Sequence, residues 1–346
     1  MRGKAVIIVI TGLLGMAVAG ISSQAVELEY PAYFPSPVYN FSNNPLTEAG
    51  INLGRALFYD PLLSKDGTVS CASCHSSYNA FAHTDHDLSH GINDQIGTRN
   101  APALFNLAWQ SSFMWDGAVN HLDMQALAPI SHPAEMDEEL SKVIEKLRSK
   151  LLYRKLSYQA FGDSLMTGEH LLKAFAQFQL TLVSANAKYD EVKKGEARFT
   201  VQEQSGYELF IQHCNSCHTE PLFSSYGFAD NGLPIDTTLN DFGRWMITKQ
   251  AADRMQFKTP SLRNLSYSYP YMHDGRFRKL SQVLDHYNGG IEDRETLAEA
   301  LVKPIILTNN DQADLIAFLL TLNDQEFVFH KDHQYPRNIF SESEGF

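Results

Sequence analysis

A chain of 346 residues with 44% hydrophobic and 20% charged residues has the length of about two globular domains and is too apolar to stay disordered. Its formal net charge of −12 disfavours nucleic acid as a partner and suits a basic one, although solubility alone accounts for such a charge equally well. The chain has only four cysteines, all in two short clusters, which leaves none for a disulfide framework elsewhere.

The first 25 residues read as a secretory leader. Arg2 and Lys4 precede an apolar run over 5–19, and Ser23-Gln24-Ala25 supplies a small-x-small cleavage site. The run is short for a membrane span and is interrupted by Gly12, Gly15 and Gly20, so cleavage is expected rather than anchoring. Export to the periplasm follows, with no transmembrane span in the mature chain. Residues 26–44 carry Pro31, Pro35 and Pro37 without a helical period and predict an extended surface arm. Ala49, Leu53 and Leu57 then mark a short amphipathic helix over 47–58, stopped at Tyr59-Asp60-Pro61.

Next comes Cys71-Ala72-Ser73-Cys74-His75, repeated later as Cys214-Asn215-Ser216-Cys217-His218. Two thiols two residues apart, followed at once by histidine, form the attachment signature of a c-type haem. The sulfurs reach the two vinyl groups on one porphyrin edge, and the adjacent imidazole reaches the iron from one face. A structural zinc site would want four ligands around one ion, and a thiol–disulfide motif has no need of the histidine. The pattern predicts two covalently bound haem c groups. It also fits export, since these haems are attached outside the cytoplasm.

A second repeat precedes the first one. Gly54-Arg55-Ala56-Leu57-Phe58 stands before one cysteine cluster and Gly206-Tyr207-Glu208-Leu209-Phe210 before the other. The intervening lengths differ, so the first copy carries an inserted loop. Residues 76–98 read as a polar loop with His83, His86 and His90. Residues 99–136 are too interrupted for a simple helix and too aromatic for a free linker. Leu140, Val143, Ile144 and Leu147 predict one helix, and Leu171, Phe175, Phe178 and Leu182 another. The charged stretch 188–205 is expected to join the halves. A glycine-rich loop region (Gly227, Gly232, Gly243) follows the second cluster. Leu280, Val283, Leu284 and Tyr287 share a helical face closed by Gly289-Gly290, and Leu315, Phe318, Leu319 and Leu322 predict the final helix, with Asn310 or Asp311 near its N-cap. Alternating strands are scarce. The expected fold is mainly α: two tandem cytochrome c-like haem domains with long connecting loops, over 26–190 and 191–346.

From about Leu46 to Leu322 the chain resembles the bacterial di-haem cytochrome c peroxidases, in the superfamily that also contains MauG, an enzyme that oxidises residues of a partner protein. The resemblance rests on the run at 57–61, both cysteine clusters, Arg99-Asn100-Ala101-Pro102, Trp115-Asp116-Gly117, Gln125-Ala126, Pro129, Glu135-Met136 and the stretch 270–275. It implies that the N-terminal haem, held by Cys71, Cys74 and His75, binds hydrogen peroxide. Glu135 then moves protons between the peroxide oxygens and Gln125 orients them. Unaided, Glu135 would pass for a surface acid and Gln125 for a helix-surface amide. Trp115 matches the tryptophan lying between the haems, a relay for electrons, where packing alone would otherwise explain it.

The second haem, held by Cys214, Cys217 and His218, needs a further axial ligand, and here the superfamily divides. The peroxidase branch usually supplies a methionine; the MauG branch has tyrosine at the position of Tyr287. Tyr287 is preferred, with Met272 the main alternative and Met255 and Met246 behind it. His90 lies nearly where some relatives place a histidine that caps the first haem at rest, but its spacing to Arg99 is not a clean match. Asn100 and the carbonyls of Ser268 and Pro270 match a calcium site. The implied partners are hydrogen peroxide and a small electron-donor cytochrome or cupredoxin; dimers occur in the family, though no interface is legible here. Three readings stand: an exported peroxidase, a MauG-like oxidase acting on Tyr or Trp of a partner protein, and a non-catalytic di-haem electron carrier.

Overall fold

The computed structural model describes residues 25–341, so the leader lies outside the described residues except for Ala25. The described residues are mainly helical. Their longer helices are α1 (Glu48–Tyr59), α2 (Leu140–Arg148), α3 (Leu151–Phe161), α4 (Gly168–Leu180), α5 (Lys188–Lys194), α6 (Val201–His213), α7 (Leu280–Asp285) and α8 (Asn309–Leu320). The named strands are two short ones, β1 (Phe228–Ala229) and β2 (Phe257–Lys258), paired antiparallel with Phe228 opposite Lys258.

The repeated pentapeptide is a repeated helix crossing. α1 packs on α4 and α6 packs on α8. At each crossing a glycine meets a backbone carbonyl. A Cβ on Gly54 would lie 1.9 Å from the Ala174 oxygen, and one on Gly206 would lie 1.9 Å from the Asp314 oxygen. Neither site leaves room for any side chain, and helices approach this closely only where one is missing. Four residues on, Phe58 meets Phe178 edge-on and Phe210 meets Phe318 at a tilt, at ring separations of 5.3 and 5.2 Å. Each crossing seeds its own core. One holds Leu53, Phe58, Phe81, Phe175 and Phe178; the other holds Tyr189, Phe210, Phe223, Leu315 and Phe318.

The helix starts follow from local chemistry. The Thr47 hydroxyl accepts from Gly50 N, and Thr200 and Glu203 cap each other's backbone N–H. Asp311 lies near the N-cap of α8, as expected. Thr308 is the cap, accepting from Asp311 N, while the Asp311 carboxylate accepts from Thr308 N. Asp311 fills the third helical position of a capping box rather than the cap itself.

Four expectations change. The 26–44 arm is not confined to the surface: Phe34 is buried against Trp109, the Tyr33 hydroxyl donates to Asp190, and the N–H groups of Val38 and Tyr39 both donate to the Ala108 carbonyl. Its apolar rings win over its lack of regular structure. The 188–205 stretch contains α5 as well as the start of α6. The helix α3 had no strong apolar stripe, burying only Tyr153, Leu156 and Ser157, and so was not foreseen. Nor is α8 final: Gln325–Phe329 and Arg337–Ser341 are helical, and Phe327 and Val328 return to the first core. Arg55 fastens this returning tail by donating to the carbonyls of Lys331 and Gln334.

A buried ion pair joins the halves. Arg263 and Asp190, both fully buried, form two parallel bonds of 2.8 and 2.7 Å, and the guanidinium also donates to the Pro221 carbonyl. Gly54→Ala and Gly206→Ala should each lower stability by about 1–3 kcal/mol through overpacking, read as a lowered midpoint in thermal unfolding. Val201→Ala, at a position 88% exposed on the same α6, should leave the midpoint within a degree or two, as surface changes do.

Candidate functional site

Each cysteine cluster forms one tight turn that projects two thiols and an imidazole together. Cys71–Cys74 is a single helical turn, and His75 N donates to the Cys71 carbonyl at 2.9 Å. His218 N makes the same bond to Cys214, also at 2.9 Å. The imidazoles are oriented alike. His75 Nδ1 lies 2.8 Å from the Phe81 carbonyl, and His218 Nδ1 lies 3.1 Å from the Pro260 carbonyl. A carbonyl can only accept, so Nδ1 carries the proton and Nε2 keeps its lone pair. Burial pulls both histidines down to about 4, with the carbonyl bonds opposing, so both are neutral at pH 7. Two thiols beside a neutral imidazole with a free Nε2 fit a c-type haem, and the carbonyl is the outer partner that fixes a metal-binding ring.

The first cavity brings Cys71, Cys74 and His75 together with Gln125, Pro129 and Glu135. The turn carrying Glu135 is held from both sides. Met136 N donates to the Pro129 carbonyl and Glu138 N to that of Ile130, as a proline-bounded turn predicts. Opposite, Ile92 N donates to the Glu135 carbonyl at 2.8 Å, and a Cβ on Gly91 would lie 2.2 Å from the Ala134 oxygen. The loop after the first haem motif therefore docks on the acid's own backbone. Burial raises the Glu135 carboxyl above its ordinary range, with His132 at 3.7 Å pulling partly the other way. His90 borders the same cavity with its ring stacked on His86 at 4.1 Å, and its carbonyl accepts from the Cys74 thiol. The Gln125 side chain is buried, and its carbonyl accepts from Gln179 Nε2 at 2.9 Å. Gln179 escaped the sequence reading because it follows Phe178 on a helix read for its apolar face.

The second cavity, of about 270 Å³, borders Cys214, Cys217 and His218 and is walled by Leu262, Leu265, Leu284, Leu315 and Leu319. Tyr287 and Met272 both line it. Tyr287 sits in a π-helical turn, His286–Gly290, that continues α7. Asn231 Nδ2 lies 3.5 Å from both the Met272 sulfur and the Tyr287 hydroxyl. Burial pushes the Tyr287 phenol up to about 12, so it keeps its proton near neutrality unless a cation stabilises the phenolate. Met255 is buried and Met246 is 41% exposed, and neither borders this cavity.

One segment separates the cavities. Ala103 and Phe105 face the second, while Leu104 between them faces the first. Arg99 fixes this wall by binding Asp241 through two bonds and Asp116 through a third, all between 2.6 and 2.8 Å. Trp115 borders the second cavity, and its indole N–H donates to the Asn100 carbonyl at 2.9 Å. Lys258, a half-buried residue the sequence did not single out, borders the same cavity. Its ammonium donates to Gln110 and to the Ser112 carbonyl, and burial lowers it to about 7 against the pull of Asp116. Asn100, Ser268 and Pro270 all border the second cavity. Asn100 Nδ2 donates to the Asp87 carbonyl, which leaves its amide oxygen for a cation. Among the described residues no three His, Cys, Asp or Glu side chains gather to hold a metal ion, so a calcium here would rest on neutral oxygens. No helix among them is long and apolar enough to cross a membrane.

Comparison with known proteins agrees with this geometry. The profile of the family described as di-haem cytochrome c peroxidase matches residues 48–198, and that of cytochrome c matches 203–323. The methylamine utilization protein MauG of Methylorubrum extorquens is 38% identical over 300 residues, covering 83% of this chain and 82% of that protein. The cytochrome c551 peroxidase of Nitrosomonas europaea is 33% identical over 292 residues, covering 83% of each. The crystal structure of a MauG-like protein associated with microbial copper homeostasis superposes with a TM-score of 0.80 at 29% identity, covering 90% of this chain and 99% of that one.

The docking of the 90–92 loop on the Glu135 turn has a direct consequence. Gly91→Ala should drive the two backbones apart, lowering the unfolding midpoint and speeding amide exchange at Ile92, whose N–H is bonded to Glu135.

Proposed function

Because the chain belongs to the di-haem cytochrome c peroxidase/MauG family, we propose that it is an exported, periplasmic oxidoreductase that reduces hydrogen peroxide to water in the His75 cavity. Electrons enter through the His218 cavity. The observation that carries this reading is the convergence of Glu135 and Gln125 on the cavity of Cys71, Cys74 and His75. An electron carrier needs neither an acid nor an amide there.

In this reading Cys71 and Cys74 hold one haem c with His75 facing its iron, and Cys214, Cys217 and His218 hold the other. When bound, the haems would supply an iron that reacts with peroxide and a store of electrons. The chain moves the protons, and the two consumed overall come from solvent. The Glu135 carboxylate takes a proton from one peroxide oxygen and returns it to the other, which leaves as water. Gln125 holds the peroxide by its amide. In sum, hydrogen peroxide, two electrons and two protons give two waters. Trp115, half-buried in the wall between the cavities, is the relay. A small cytochrome or cupredoxin suits this acidic chain as donor. Calcium at Asn100, Ser268 and Pro270 would stiffen the wall that Trp115 leans on.

Tyr287 supports a second reading, in which the electrons come from Tyr or Trp side chains of a partner protein, as in MauG. A phenolate is a hard anionic ligand that lowers the potential of the iron it binds, which disfavours uptake from an ordinary cytochrome. Met272 would favour the first reading.

Addition of peroxide to the purified holoprotein, followed optically, separates these readings. Fast turnover of a reduced cytochrome supports the peroxidase. A long-lived oxidised product with poor cytochrome turnover supports the partner-oxidising reading, and no spectral response would sink both. Glu135→Gln should slow peroxide consumption by roughly 10²–10⁴-fold with haem content unchanged. Glu135 must be ionised to accept the first proton, and burial raises its carboxyl, so the rate should fall on acidification at a pH above the ordinary carboxylate range. That limb should vanish in Glu135→Gln. Tyr287→Phe should alter the absorption and EPR signals of the second haem alone; an unchanged spectrum would hand the ligand position to Met272.

A further inference from the structure

The first cavity contains a second buried amide with no assigned role. Gln179, near the C-terminal end of α4, is 3% exposed and borders the cavity beside Gln125 and Glu135. Its Nε2 donates to the Gln125 carbonyl at 2.9 Å, while its own Oε1 accepts no hydrogen bond from the protein. A buried carbonyl without a partner is costly, and one carried by a residue that borders a cavity points to an O–H that arrives there.

The internal repeat sharpens the point. Gly54 meets Phe178 as Gly206 meets Phe318, so Gln179 occupies the position that Leu319 occupies in the other half. Leu319 lines the second cavity as plain apolar wall. The same helix crossing thus delivers leucine to the electron-transfer cavity and glutamine to the peroxide cavity. Packing accounts for the leucine and not for the glutamine, because either cavity would be filled as well by an apolar side chain.

We propose that Gln179 is a positioning residue that sets the polarity of Gln125. A carboxamide offers either a carbonyl or an NH₂ to a ligand, and the two differ little in shape. With its carbonyl held by Gln179, Gln125 must turn its NH₂ toward the substrate. That polarity matters, because the peroxide oxygen that loses its proton to Glu135 becomes anionic and needs a donor. A freely turning Gln125 would present its carbonyl part of the time and repel it. The Gln179 carbonyl accepts the O–H of the bound peroxide or of a product water. This inference rests on the peroxidatic reading of the His75 cavity.

The test is a double-mutant cycle on the holoprotein with Gln179→Met and Gln125→Met. Gln179→Met should lower kcat/KM for hydrogen peroxide by about 10-fold, the loss of one well-placed hydrogen bond. It should cost little more once Gln125→Met is present. The C–O stretch of the carbon monoxide adduct of the reduced protein should rise or broaden in Gln179→Met, as an amide donor is lost from beside the ligand. A change confined to packing would not move it. Gln179→Asn, which keeps the amide but withdraws it by one methylene, should show the same shift and stands in if the methionine variant folds poorly. An unchanged C–O stretch with kcat/KM within twofold of the parent overturns the proposal, as does an equal loss in the Gln125→Met background. The peroxidatic reading fails separately, if the parent protein and Glu135→Gln are equally inert to peroxide; the carbon monoxide measurement still reports on Gln179 in that case.

Discussion

Each half of this protein depends on one contact: a backbone carbonyl of one helix pressed into the space where a glycine of the other has no side chain. At Gly54 and Gly206 that space is too small even for a methyl group. The crossing fixes the phenylalanines in contact one turn on, and these seed the two cores. It also sets the site. α6 runs directly into Cys214, so its crossing with α8 aims the second cysteine turn, and the partner helices contribute Gln179 and Leu319 to the cavity walls. The fold therefore makes two similar pockets, which differ in what lines them.

The difference between the pockets is electrostatic. Both keep a neutral, carbonyl-oriented histidine, a product of burial and of the backbone that each ring meets. Only the first is bordered by a carboxyl, Glu135, which it sets beside two amides. The raised carboxyl of Glu135 and the unpartnered carbonyl of Gln179 both cost folding energy, and such costs are met where a group must exchange protons or meet a ligand. The second pocket has leucines along part of its wall, with a phenol and a thioether within reach of one amide. Between the pockets, the Arg99 bonds to Asp116 and Asp241 stiffen the wall that carries Trp115.

The repeat that begins with Gly54 and Gly206 could be read in the chain because it is short and regular. Its cysteine turns could be read because haem attachment leaves almost no freedom in spacing. The helical stripes of α2, α4 and α8 were plain for the ordinary reason that one face of each is buried. By contrast α3, with few buried positions, gives no period to read, and the prolines of the 26–44 arm say nothing of the burial of Phe34 against Trp109. The tail beyond α8 was missed because Phe327 and Val328 belong to a core laid down far earlier in the chain.

The sequence by itself determined that there are two cysteine–histidine turns, two related helical halves and a resemblance that singles out Glu135, Gln125 and Trp115. Those features are local, or carried by motifs whose chemistry permits little variation. Only the tertiary structure decided that Gln179 grips Gln125, that the Lys258 ammonium is held by Gln110 and Ser112 beside Trp115, and that Met272 and Tyr287 share one amide while Met255 and Met246 lie elsewhere. A glutamine, a lysine or a methionine is ordinary in any sequence. Its meaning here comes from partners far along the chain, and a periodicity says which face is buried without saying what it is buried against.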